Sequence, residues 1–141
     1  MIKILIIEDE AIAARNLQRM LSELTQSIEV VAVIDSQQEA IEQIPLLHFD
    51  LMLMDIHLTD GNAFGIFEKI DCPKPIIFTT AFDQYTLKAF KQWSIDYLLK
   101  PIIKSDLQLA IDKYEKHFSS QTPNLPYQEL IHLIQGNKQV Y

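Results

Sequence analysis

Five polar residues stand where apolar runs end, and their types are those of phosphoryl chemistry. Glu8 and Asp9 follow Ile2–Ile7, Asp55 follows Leu51–Met54, Thr80 closes Ile76–Thr80, and Lys100 follows Ile95–Leu99. If these runs are neighbouring parallel strands, their carboxyl ends meet along one crevice, where open α/β sheets bind ligands. Three carboxylates crowded there repel, and one stays protonated unless a cation joins them. An oxygen-only cluster suits Mg²⁺, a hard ion that retains several waters. Such an ion would keep the carboxylates ionised and leave one as a nucleophile. Lys100 and the Thr80 hydroxyl would then hold the oxygens of an incoming phosphoryl group. Positioning and charge neutralisation are most of what phosphoryl transfer requires.

The elements needed to position these residues are legible in the same pattern. Leu51-Met52-Leu53-Met54 is continuously apolar, as in a strand buried on both faces of a parallel sheet. Ile28–Ile34 is rich in β-branched residues and reads as a second strand. Between the strands, Ala13, Leu17, Met20, Leu21 and Leu24 recur at helical spacing, with Arg15, Gln18 and Glu23 on other faces. Ser36-Gln37-Gln38-Glu39 has capping-box spacing, and Ala40, Ile41 and Ile44 continue it as a helix closed near Pro45. Phe64, Phe67 and Ile70 outline a third helix, ended before Pro73-Lys74-Pro75. Tyr85, Ala89, Phe90 and Trp93 outline a fourth. Ser105-Asp106-Leu107-Gln108 repeats the capping-box pattern before a fifth, with Leu107, Ala110, Ile111, Tyr114 and Phe118 on its inner face. Five strands alternating with five helices predict an α/β fold, a doubly wound five-stranded parallel sheet with helices on both faces.

Compactness is expected to end near Phe118, giving a domain over 1–118. Residues 119–126 read as a linker, and Leu130, Ile131 and Ile134 suggest a short helix stopped at Gly136. Residues 119–141 are thus expected to lead toward an output domain absent from this chain. The chain has 141 residues, 48% of them hydrophobic and 22% charged, as in ordinary globular proteins. Its formal net charge of −7 argues against nucleic-acid binding through a broad basic surface. Cys72 is the only cysteine, which excludes an intrachain disulfide and a cysteine zinc site. No apolar run reaches membrane-spanning length and no signal-peptide pattern opens the chain, so a cytoplasmic location is expected.

Taken together, Glu8-Asp9, the apolar strand into Asp55, Thr80-Ala81 and Lys100-Pro101 resemble the receiver domain of two-component response regulators. The resemblance covers about residues 1 to 118. It implies a flavodoxin-like fold with strand order 2-1-3-4-5 and Asp55 as phospho-acceptor, loaded from the phosphohistidine of a sensor histidine kinase. It further implies Mg²⁺ on Glu8, Asp9, Asp55 and the backbone carbonyl of His57, with Thr80 and Lys100 contacting the phosphoryl group. Tyr97 occupies the switch-aromatic position: drawing Thr80 toward the phosphate would let Tyr97 turn inward and repack the fourth helix and fifth strand. Lys88, Lys91, Asp96, Asp112, Lys113 and Glu115 give the face of the fourth helix, fifth strand and fifth helix both charge signs. That mixture suits a self-complementary contact, so a phosphorylation-favoured homodimer is expected. Three stretches, Asp55–Asn62, Phe78–Tyr85 and Ser94–Pro101, narrow the resemblance to receivers preceding LytTR-type DNA-binding domains. That implies transcription regulation, with DNA bound only through the output domain.

Blander readings exist for each residue. A lone aspartate is ordinarily a strand-end cap, and Lys100 could be a solvated surface lysine; it is their convergence with Glu8, Asp9 and Thr80 that favours chemistry. Thr79 and Thr80 point to opposite sides, so one of them faces the crevice, and the Thr80-Ala81 pairing selects Thr80. Tyr97 could be plain core. His48 and His117 lack partners in motif spacing and read as surface residues, and Cys72 lacks a catalytic partner. A haloacid-dehalogenase-type phosphatase needs a second aspartate two residues after the first, where this chain has His57; a dedicated enzyme is therefore not expected. A single-domain receiver acting through protein contacts is the alternative function, with the residues after Phe118 as the discriminating feature. His57 would serve through its carbonyl alone, or its imidazole would also tune phosphoryl lifetime, with Phe82 restricting water. If the imidazole acts, His57→Ala changes the decay half-life of the phosphorylated protein severalfold, and an unchanged half-life eliminates that role.

Overall fold

Parallel strands with both faces covered form the centre of the molecule. The computed structural model describes residues 1–72, 74–81 and 95–118. Strands β1 (Ile2–Ile7), β2 (Ile28–Ile34), β3 (Leu51–Asp55), β4 (Ile76–Thr80) and β5 (Asp96–Leu99) make one sheet in the order β2-β1-β3-β4-β5. Every neighbouring pair is parallel. The helices are α1 (Ala11–Ser22), α2 (Gln37–Gln43), α3 (Ala63–Lys69) and a last helix, Lys104–Phe118. The predicted helix over 85–93, Phe82 and the whole of 119–141 lie outside the described residues.

Side-chain alternation divides the core in two. Ile4, Ile6, Leu51, Leu53 and Ile77 pack with Leu17, Leu21, Leu107, Ala110 and Ile111, beneath α1 and the last helix. Leu5, Ile7, Met52, Met54 and Phe78 pack with Ala40, Ala63 and Ile66, beneath α2 and α3. Successive residues of a strand face opposite sides, which is why β1 apart from Lys3, and β3 up to Asp55, are apolar and buried. The doubly wound arrangement and strand order expected from the sequence are therefore the ones observed.

Local signals set most boundaries, with corrections at helix surfaces. Ser36 caps α2 by accepting from the Glu39 N–H at 3.1 Å, and Asn62 caps α3 by accepting from the Gly65 N–H at 3.2 Å. The second predicted box fails. Lys104 is already helical and the Leu107 N–H donates to the Ile103 carbonyl, so Ser105 lies inside the helix rather than at its cap. The Gln108 amide turns outward instead, donating to Thr25 Oγ1 and Gln26 Oε1 across the sheet edge. In α1 the fully buried small residue is Ala14 rather than Ala13, and α3 buries Ala63 and Ile66 more deeply than Phe67 or Ile70.

At the amino edge of the sheet, Lys3 and Asp50 tie β1 to the start of β3. The Lys3 N–H donates to Asp50 Oδ2 at 2.9 Å, and the Asp50 N–H donates to the Lys3 carbonyl at 2.7 Å. At the carboxyl edge, the chain leaving β3 makes a two-residue antiparallel ladder, His57–Leu58 against Gly61–Asn62, around the turn Thr59–Asp60. Asp60 accepts from the Gln37 N–H at 2.7 Å and the Gln38 N–H at 3.1 Å, so a residue 23 positions away completes the cap of α2. Gly61 has φ of +151°, and a Cβ there would come within 2.5 Å of the Gln37 side-chain amide. Gly61→Ala is therefore expected to cost about 1–3 kcal/mol in urea denaturation.

Candidate functional site

The register of the sheet puts the ends of β1, β3 and β4 side by side. Ile7 pairs with Met54, and Asp55 pairs with Thr79, so the residues just beyond share one edge. Lys100 follows β5 and is drawn in by its own backbone, its N–H donating to the Thr80 carbonyl at 2.8 Å. The Lys100–Pro101 peptide bond is cis.

Four of the predicted residues converge. Lys100 Nζ lies 2.6 Å from Glu8 Oε1 and 2.8 Å from Asp55 Oδ2, bridging the two most buried acids. The remaining oxygens are also engaged: the Glu10 N–H donates to Glu8 Oε2, and the His57 N–H donates to Asp55 Oδ1, each at 3.1 Å. Glu8, Asp9 and Asp55 each offer an oxygen within 4.8 Å of the others. Glu8 and Asp55 are buried, while Asp9 is partly open and accepts the Thr59 hydroxyl on Oδ2. This all-oxygen, net-negative donor set fits a small hard divalent cation.

Electrostatics follow from that crowding. Burial, the largest influence on Glu8, pushes its carboxyl above the ordinary 4.5; the Lys100 ammonium and the Glu10 N–H offset this only in part, and the Asp55 charge adds to it. For Lys100, burial is again the largest single influence and works downward, but hydrogen bonds and charge from Asp55 and Glu8 together hold it above the ordinary 10.5. Glu8 thus binds its proton more tightly folded than unfolded. Its stabilising share is full below 4.5 and is lost as pH rises through the folded value. Lys100 contributes fully up to its ordinary value, and that share is lost only in more alkaline solution.

The other predicted residues occupy nearby positions. Thr80 is fully buried at the end of β4, and Thr79 is buried on the opposite face. Tyr97 is half-buried, paired in register with Phe78 and packed against the cluster beneath α2 and α3. By strand alternation Thr80 shares the face of Phe78, so Thr80 and Tyr97 stand on one side of the sheet. The His57 side chain is exposed, as are His48 and His117. Cys72 is partly buried, and burial pushes its thiol up. Two features escaped the spacing of motifs: the Thr59 hydroxyl on Asp9, and a cleft of about 480 Å³ that opens beside Glu8 and Lys100. Ile12, Ala13, Arg19, Met20 and Ile102 are among the residues lining it.

Residues 4–112 match the family described as response regulator receiver domain. The chain is 36% identical over 124 residues to the sensory transduction protein LytT of Bacillus cereus, covering 86% of this chain and 50% of that one. It is 35% identical over 127 residues to the transcriptional regulatory protein BtsR of Escherichia coli, covering 89% and 53%. The chain thus spans about half the length of these curated relatives. Among solved structures, the signal receiver domain of a modulated diguanylate cyclase from Desulfovibrio desulfuricans superposes with a TM-score of 0.68 at 27% identity, covering 91% of this chain and 97% of that one.

The pairwise roles at the acidic edge have a direct readout in carboxyl titration. Lys100→Met removes the chief downward influence on Glu8, so the Glu8 carboxyl is expected to titrate at still higher pH in ¹³C NMR. A downward move would show that Lys100 does not sustain the Glu8 charge.

Proposed function

The chain belongs to the response regulator receiver domain family, and we propose that Asp55 is its phospho-acceptor, loaded from the phosphohistidine of a sensor histidine kinase. The observation that carries this reading is the Lys100 ammonium bridging Glu8 and Asp55 at the carboxyl edge of the sheet. A nucleophilic carboxylate needs an ionised, aimed oxygen, and the His57 N–H and Lys100 aim both oxygens of Asp55.

In the reaction an Asp55 oxygen attacks phosphorus and the phosphorus–nitrogen bond of phosphohistidine breaks. Its electron pair stays on the donor imidazole, which takes up a proton, and Asp55 becomes an acyl phosphate. Mg²⁺, held by Glu8, Asp9, Asp55 and the His57 backbone carbonyl, would supply charge neutralisation for the crowded acids and the phosphoryl oxygens. Lys100 releases the Asp55 oxygen it holds and follows the negative charge to the phosphoryl group. The cleft beside Lys100 is the open approach to this edge. Ile12, 65% exposed, offers the donor an apolar contact there. The domain accepts a phosphoryl group and releases it by hydrolysis; it is not a dedicated enzyme.

Phosphorylation adds about two negative charges at the carboxyl edge. Thr80 moves its hydroxyl toward them, and Tyr97, on the same face, turns into the space left behind. This repacks the surface of β5 and the last helix, and that surface forms a homodimer contact. Exposed Leu99 and Leu109 supply apolar area for it. Residues 119–141 then act as linker toward an output segment of the LytTR type, which binds DNA and regulates transcription. The relatives' names, and their length beyond the matched half, support that assignment. Among the described residues no helix is long and apolar enough to cross a membrane; with the kinase as partner, we place the domain in the cytoplasm.

Incubation with acetyl phosphate and Mg²⁺ is expected to label wild type and to shift its sedimentation toward a dimer. Asp55→Asn should remain unlabelled and unshifted. Equal labelling of the two proteins would overturn the assignment of Asp55, and labelling without a mass change would remove the dimer.

A further inference from the structure

The turn between the two halves of the short ladder is anchored on both sides. Asp60 holds the first N–H groups of α2, and the Gln37 side-chain amide donates to the Asn62 carbonyl at 2.9 Å. These ties fix the turn against α2. The first residue of the turn, Thr59, donates its hydroxyl to Asp9 Oδ2, 50 positions earlier in the chain.

The three clustered acids are restrained differently. Glu8 and Asp55 are buried and each accepts a backbone N–H as well as Lys100. Asp9 is the more open member and lies one residue further past the end of β1 than Glu8. Its carboxylate is oriented by Thr59. A hydroxyl is suited to that task, because it fixes one oxygen while leaving the negative charge intact for a cation. A lysine in the same place would orient Asp9 and also compete with the ion.

We propose that Thr59 is a positioning residue for Asp9: its hydroxyl occupies Oδ2 and leaves Oδ1 as the oxygen for the cation, so the third carboxylate is restrained before the ion arrives. The inference rests on the Mg²⁺ reading above and extends it to the turn that supports the site. Hydrogen-bond partners of metal ligands commonly set affinity by about 10- to 100-fold. Thr59 sits on a surface turn, and the hydrophobic core does not depend on it.

Calorimetric Mg²⁺ titration of the full chain tests this with Thr59→Val, which keeps the shape, and Thr59→Ser, which keeps the hydroxyl. Thr59→Val is expected to bind Mg²⁺ about 10-fold more weakly, with Thr59→Ser within about twofold of wild type. Urea midpoints of both metal-free variants should stay at the wild-type value, and saturating Mg²⁺ should restore acetyl phosphate labelling of Thr59→Val. Wild-type affinity in Thr59→Val overturns the proposal, as does equal weakening in both variants, which would leave the hydroxyl without a role. A wild type that binds no Mg²⁺ removes the cofactor reading itself, a result visible before any variant is compared.

Discussion

Much of this molecule depends on how two buried carboxylates share one ammonium. Taking Glu8 and Asp55 out of water is costly, and their mutual repulsion adds to that cost. Lys100 offsets both by standing between them, yet one positive charge does not balance three acids. The remaining negative charge leaves the edge suited to a small hard cation, the premise of the proposed phosphoryl chemistry. The sheet serves this arrangement by bringing residues 8, 55, 80 and 100 to one place in a parallel register, where backbone pairing sets their spacing.

Local signals in the sequence marked the elements that bring these residues together. The β-branched and apolar runs marked β2 and β4 to the residue: β4 is buried on both faces, which admits little else, and in the partly exposed edge strand β2 β-branched residues suit the pleated backbone. Asp55, Glu8, Asp9 and Lys100 were recognisable since each follows such a run directly. The order of the strands and the switch roles expected of Thr80 and Tyr97 came from family resemblance instead. Periodicity alone does not say which strand is central.

What stayed hidden was long-range or marginal. Asp60 at the N-terminus of α2 and Thr59 on Asp9 join residues 23 and 50 positions apart, and no spacing rule connects them. Ser105 satisfied a capping pattern that the chain does not use, because Ile103 already supplies the first helical carbonyl and Gln108 finds partners in Thr25 and Gln26. Ala13 and Ala14 are equally apolar, and only the placement of α1 against β1 decides which is covered.

The reciprocal pair between Lys3 and Asp50 lies far from the chemistry, at the other end of β1 and β3. It fastens the two strands that carry all three acids. A one-residue slide of β3 past β1 would exchange its two faces and present Met54 where Asp55 belongs. With the floor locked, strand slippage is not a mode open to this domain. Any rearrangement at the acidic edge is thereby directed to side chains and loops, over two strands whose register is held from their far end.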